Sequence, residues 1–323
     1  MQFLTLAPDD VRYAVAEPVV PGVRRVLAEN PSKFTYFGTG TYLVGEDDEV
    51  VVVDPGPSLD AHRDALEQAL SGSTVRAILI THCHSDHSPL AAWLQEATGA
   101  PTIAWGPHGD EAWDIGGDLP ELAVPSDEPA DDGSAAKVEE SIDRSFRPDV
   151  ACADGEMVAS GAGWEMHAVH TPGHTSNHTC FALDADDRRI LFTGDHVMGW
   201  STTVVSPPDG DMAAYLRSLR KVGGSAYDLG IPTHGPPIDR FASFVDDLVD
   251  HRLQREAGAL GGVRNGLVTV PQLVLSLYAD VRPELHQPAA RSVLAHLVKL
   301  VDDGAVVCEG SDRPRLDSTF RAV

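Results

Sequence analysis

Short apolar runs alternate with turn-rich polar segments along most of the chain, and their spacing predicts a definite order of elements. Tyr36 to Val44 and Val50 to Val53 read as a strand hairpin, followed by an amphipathic helix over Asp60 to Leu70 in which Leu66 and Leu70 stand one turn apart. Val75 to Thr81 is the next strand. A helix over Leu90 to Thr98 then ends at Gly99, a residue that readily closes helices. A second strand set runs through residues 155 to 193, with Trp164 to Val169 and Ile190 to Phe192 as its clearest members. Helices over Asp211 to Lys221 and Ile238 to Glu256 complete this part. The fold class is α+β, with two strand sets each followed by helices.

Beyond about residue 258 the pattern changes. Val270 to Tyr278 and Gln287 to Val301 read as helices, the latter with Val293, Leu294, Leu297, Leu300 and Val301 on one face. Ala305 to Cys308 and Thr319 to Val323 then form a short hairpin. Helices followed by a two-stranded ribbon resemble a winged helix, so the chain divides into residues 1–258 and a small domain over 259–323.

Charge sharpens this division. The formal net charge is −25, yet residues 251–323 carry nine basic and eight acidic side chains, against fifteen and forty-one in residues 1–250. Winged helices commonly meet nucleic acid, but a near-neutral tail without an aromatic platform favours packing or dimerisation, which leaves a homodimer open. Residues 106–150 hold thirteen acidic and three basic side chains with little periodicity, which predicts disorder or a solvated flap. Lying between the two halves, such a flap is also able to cover a site.

With 323 residues and 42% hydrophobic content the chain can bury a full core. No stretch resembles a membrane span, and the N-terminus has neither a basic start nor a long apolar run, so no membrane partner and a cytoplasmic location are expected. Cys83, Cys152, Cys180 and Cys308 are scattered and form no disulfide framework.

The candidate chemistry sits in Thr81-His82-Cys83-His84-Ser85-Asp86-His87, directly after an apolar strand. Three imidazoles and a carboxylate within six residues is the density of metal ligands. In an extended loop positions i and i+2 point the same way, so His82 and His84 reach one cation as a pair, while Asp86 and His87 are aimed at a second point. Cys83, between the pair, points the opposite way and is expected to be buried. Imidazole and carboxylate without thiolate suit Zn²⁺, with Mn²⁺ and Fe²⁺ as alternative occupants. Three further candidates each follow a short hydrophobic segment and stand beside a glycine: His174 in Thr-Pro-Gly-His-Thr, Asp195 in Thr-Gly-Asp, and His234 in Thr-His-Gly.

The four motifs THCHSDH, TPGHT, TGD and THG, in that order over residues 34 to 240, resemble the metallo-β-lactamase fold superfamily. That resemblance implies an αββα sandwich with two metals at one edge. One would be held by His82, His84 and His174, the other by Asp86, His87 and His234, with Asp195 bridging both. Two Zn²⁺ per chain would then share a hydroxide that attacks a carbonyl or phosphoryl centre, with Asp86 orienting it or accepting its proton. His178 is the candidate acid for the leaving group, its alternative role being a hydrogen-bonding support. Asp54, at the end of a buried strand, is read as the brace of the ligand loop, and His196 as structural.

Gly38 to Gly45, Gly194 to Gly199, the segment His251-Arg252-Leu253-Gln254-Arg255-Glu256 and the winged-helix tail further resemble the β-lactamase-like protein 2 group. A β-lactamase proper is disfavoured, because the commonest zinc type places Cys where this chain has Asp195 and is exported. A glutathione-gripping basic C-terminal region, as in glyoxalase-type thioesterases, is not found. The expected activity is hydrolysis of a thioester, ester or lactone, on a small-molecule or carrier-bound substrate. Cleavage of single-stranded RNA is the alternative, disfavoured by the acidity because polyanion binding relies on Lys and Arg. A non-hydrolytic di-iron redox protein is the third reading.

Overall fold

The computed structural model describes residues 2–46, 48–109, 113–123, 141–185 and 188–323. Its first sheet has seven strands in sequence order, β1 (Ala16–Val20), β2 (Val23–Leu27), β3 (Gly40–Val44), β4 (Glu49–Val53), β5 (Thr74–Leu79), β6 (Thr102–Ala104) and β7 (Val150–Ala151). Strands β1 to β4 pair antiparallel and β4 to β7 parallel. The parallel steps need crossovers, supplied by α1 (Asp60–Ala69) between β4 and β5 and α2 (Ala91–Thr98) between β5 and β6. The second sheet runs β12 (Leu229–Pro232), β11 (Arg188–Gly194), β10 (Thr179–Ala185), β9 (Trp164–His170), β8 (Met157–Gly161). Helices α3 (Met212–Gly223) and α4 (Phe241–Arg264) cover it.

The run Val50-Val51-Val52-Val53 shows why the chain stacks in four layers. Val51 and Val53 join the core between the sheets, with Leu79, Phe181, Phe192 and Ile231, whereas Val50 and Val52 pack outward with Leu66 of α1 and Leu94 of α2. A strand buried on both faces reads as a continuous apolar run rather than an alternating one. On the far side, Cys180, Ala182 and Leu191 pack under Tyr215 and Leu219 of α3 and Phe241, Val245 and Leu248 of α4. This is the αββα sandwich expected.

The C-terminal part holds α5 (Val270–Leu277), α6 (His286–Asp302) and the antiparallel pair β13 (Val306–Glu309) and β14 (Thr319–Ala322) around their own core. Thr269 caps α5 through a reciprocal box with Gln272. Helix α4 is longer than its predicted end at Glu256. It continues through position 258, packing Phe244 and Leu248 on the sandwich and Ala259 and Val263 in the C-terminal core.

Two features differ from expectation. The hairpin β1–β2 was not predicted, because Glu17, Pro18, Arg24 and Arg25 break its apolar pattern; Pro18 is tolerated because β1 is an edge strand. The described parts of the acidic stretch, moreover, are packed rather than disordered. Leu119 and Leu122 are buried in the C-terminal core, and the Trp113 indole donates to the Pro314 carbonyl at 3.0 Å. On the other flank Phe146 is buried, and the Asp143 amide donates to the Cys83 carbonyl at 2.8 Å. A few apolar anchors among many acids decide this, and composition averages hide them. Residues 110–112 and 124–140 of the stretch lie outside the described residues.

Candidate metal centre

Every candidate ligand leaves the end of a strand on one edge of the sandwich. Strand β5 delivers His82, His84, Asp86 and His87, β9 leads to His174, β11 to Asp195 and β12 to His234. Gly194 permits the last turn of β11: its φ is +51°, and a Cβ there would lie 2.6 Å from His178 Nε2. Gly173 likewise has φ +140° with the Tyr215 backbone against it.

The seven side chains form two adjoining groups, His82, His84, His174 and Asp195 in one and Asp86, His87 and His234 in the other. The Asp195 carboxylate lies between them. Its Oδ1 is 3.6 Å from His87 Nε2 and 3.4 Å from His234 Nε2, while Oδ2 is 3.8 Å from His174 Nε2. Asp86 Oδ2 stands 3.2 Å from His234 Nε2 and accepts from the Thr39 hydroxyl at 3.0 Å. His84 Nδ1 and His174 Nε2 converge at 3.2 Å.

Three rings are oriented through the nitrogen that faces away from the centre. His87 Nδ1 donates to Asp54 Oδ2 at 2.8 Å, His174 Nδ1 to the Val204 carbonyl at 2.6 Å, and His234 Nδ1 to the Gly38 carbonyl at 3.1 Å. An acceptor at Nδ1 fixes the tautomer and turns the Nε2 lone pair inward. Asp54 does more than hold His87. It accepts from the Thr81 amide and hydroxyl at 2.8 Å each and from the Thr233 hydroxyl at 3.2 Å, all while fully buried with φ +50°.

The electrostatics call for positive charge. Burial disfavours a proton on His87 and His234, yet the carboxylates of Asp86 and Asp195 hold His87 well above the ordinary imidazole range and raise His234 to about 10. Burial works against ionised Asp195 too, but His234 and His87 keep it far below its usual value. In the other group burial and neighbouring rings push His82 well down and His84 to about 3, so both stay neutral as metal ligands must be. His82 Nε2, His87 Nε2 and Asp195 Oδ1 are buried without a hydrogen-bond partner. Buried polar atoms are normally satisfied. Five imidazoles and two carboxylates, three of whose inward atoms lack a hydrogen-bond partner, fit divalent cations.

His178 does not have the surroundings of a leaving-group acid. It is fully buried, its Nε2 accepts from the Asp195 amide at 3.2 Å, and its Nδ1 pairs with the Thr171 hydroxyl at 2.9 Å. Burial, with His196 and His174 nearby, holds its pKa well below the imidazole value. The ring braces the backbone of Asp195 instead. Cys83 is buried, its sulfur accepting from Asn177 Nδ2 at 3.1 Å, and burial raises its thiol to about 11. His196 is buried against Tyr215.

The profile of the metallo-beta-lactamase superfamily matches residues 36–234. The chain belongs to that superfamily. The beta-lactamase associated winged helix domain matches residues 269–313. Among curated relatives, the beta-lactamase-like protein 2 homolog of Caenorhabditis elegans is 31% identical over 295 residues, covering 90% of this chain and 88% of that one. An atrochrysone carboxyl ACP thioesterase of Aspergillus chevalieri is 30% identical over 302 residues, covering 90% and 84%. A beta-lactamase domain protein from Burkholderia ambifaria superposes with a TM-score of 0.72 at 23% identity, over 97% of this chain and 96% of the other, which speaks for the fold. The chain is a superfamily enzyme, and the superfamily is mostly hydrolytic.

Thr81 and Thr233 stand within the ligand motifs and Thr39 within the Gly38 to Gly45 stretch, none with a role that local pattern reveals, and Thr203 lies in no motif. A threonine directly before His82 and before His234 was the available signal. The carbonyls of Gly38 and Val204 had none.

Proposed function

We propose that the chain is a dinuclear zinc hydrolase of thioesters, esters or lactones, with a thioester as its best substrate. The observation that carries the reading is Asp195, whose two oxygens face the two ligand groups at 3.4–3.8 Å. His82, His84 and His174 would hold one ion, Asp86, His87 and His234 the other, and Asp195 both. Zn²⁺ bound by these residues would supply a water of lowered pKa and Lewis-acid polarisation of an acyl carbonyl.

The protein's own groups do the remaining work. Thr39 and His234 fix the Asp86 carboxylate at the rim of the second group, where it can orient the attacking water and take its proton. Asp54 holds the ligand loop, and His178 holds Asp195. A thiolate leaving group, with a pKa of about 8.5, departs with little help from an acid. That suits a site in which the His178 ring nitrogens are engaged by the Asp195 amide and the Thr171 hydroxyl. Relatives named as ACP thioesterases support the same class. A net charge of −25 opposes a polyanionic substrate.

Elemental analysis of untagged protein, with a panel of an acyl thioester, a lactone, a chromogenic phosphodiester and labelled single-stranded RNA, tests this. About two zinc per chain and fastest turnover of the thioester are expected. Stoichiometric iron would overturn the metal assignment, and cleavage confined to RNA or the phosphodiester would overturn the substrate class.

A further inference from the structure

The segment His251-Arg252-Leu253-Gln254-Arg255-Glu256 of α4 takes no part in the mechanism above, yet it contains the largest fully buried side chain of the described residues. Arg252 is 1% exposed. Burying a guanidinium is costly, and packing alone is better served by Leu or Met. Its contacts supply another reason. Arg252 Nη2 donates to the Thr203 carbonyl, and its guanidinium lies 5.4 Å over the Tyr215 ring. The Thr203 hydroxyl in turn donates to the carbonyls of Asp195 at 2.7 Å and His196 at 3.1 Å. One residue on, the Val204 carbonyl receives the His174 Nδ1 proton at 2.6 Å.

Residues 202–206 belong to no helix or strand. Their backbone groups have no ladder to fix them, so side-chain bonds set where they stand. From these contacts we infer that Arg252 is a positioning residue for the metal centre, clamping the Thr203–Val204 segment that orients His174 and supports Asp195. The next positions of the same helix face the C-terminal domain. Arg255 Nη1 donates to the Leu277 carbonyl and lies 4.3 Å over Tyr278, while Glu256 Oε1 accepts from Lys299 Nζ at 2.9 Å. One helical turn thus joins the metal-orienting segment to α5 and α6.

The inference rests on the metal reading above, and its test reads metal affinity rather than turnover. Zn²⁺ binding is measured by competition with a chromophoric chelator on the full chain, alongside thermal unfolding. Wild type is expected to take up two equivalents. Arg252→Met should weaken one of them 10- to 100-fold, as loss of a ligand-orienting contact does, and Arg252→Lys should recover part of the loss. Arg255→Met removes the same charge one turn away. It should lower the melting temperature and leave both equivalents at wild-type affinity. Should Arg252→Met fail to fold, Thr203→Val, which keeps the shape and removes the hydroxyl, carries the same expectation. Unchanged binding by Arg252→Met or Thr203→Val would overturn the inference, as would an equal loss in Arg255→Met, which would mean general loosening. A wild-type chain that takes up no zinc overturns the metal reading itself, whereas two equivalents in wild type beside an unaffected Arg252→Met overturns this inference alone.

Discussion

Asp54 Oδ2 accepts the Nδ1 proton of His87 at 2.8 Å, joining the end of β4 to the ligand loop after β5 within a fully buried pair. The same carboxylate holds Thr81 and Thr233, so three segments of the site meet at one side chain. Asn tolerates the left-handed backbone found at this position, so Asp54→Asn removes charge with little backbone strain. The variant should lose about 10- to 100-fold in affinity for the ion beside His87. A chelator-competition titration gives the answer, and wild-type affinity in the variant would remove Asp54 from this role.

His178 offers a contrast in magnitude. Loss of a general acid lowers turnover about 10²- to 10⁴-fold and reshapes the pH profile. Loss of a brace on Asp195 costs about tenfold or somewhat more. His178→Gln is expected to fall in the smaller range with the alkaline limb of its kcat/KM profile unmoved. A loss of 10³ with a displaced limb would restore the acid role.

Metal removal should be legible in stability. Any ligand bound only by the folded chain stabilises it by about 2.7 kcal/mol at a hundredfold excess over its Kd. Chelator treatment followed by dialysis should therefore lower the melting temperature by roughly 5 °C or more, and zinc should return it. Identical melting curves for stripped and zinc-loaded protein would count against a metal held by these residues.

Acid sensitivity is predicted away from the centre, at His62. This ring is buried against Thr41, with its Nε2 2.9 Å from the hydroxyl, and burial lowers its pKa to about 4. Between about pH 6.5 and 4 the unfolded chain takes up a proton that the folded chain refuses. The associated stability is present above pH 6.5 and is lost as the pH falls toward 4, on the order of 3 kcal/mol at most. In urea melts of the metal-free protein, His62→Gln should show a shallower fall over this window. An unchanged slope would contradict the prediction.

The strand runs, the helix periodicities and the ligand-type motifs were legible in the sequence because each is local. Val50 to Val53 declares a strand buried on two faces, and Thr81 to His87 declares its chemistry within seven residues. Periodicity and composition failed where a few positions outweigh an average. The acidic stretch is held by Trp113, Leu119, Leu122 and Phe146, and Pro18 with its charged neighbours masked an edge strand.

The order of strands and helices and the winged-helix tail were thus readable in the chain, and the motifs' resemblance to a known superfamily supplied the four-layer sandwich and the seven ligand-type side chains. How those side chains are aimed depends on contacts far apart in the chain. His84 and His174 meet across 90 positions, and His234 reaches the Gly38 carbonyl across 196. His178 becomes a brace because the Asp195 amide points at it, and Arg252 touches the site through the Thr203 carbonyl. The physical reason is common to all of these: backbone amides and carbonyls are the same at every residue, so which one orients a ring is set by the fold that brings it near.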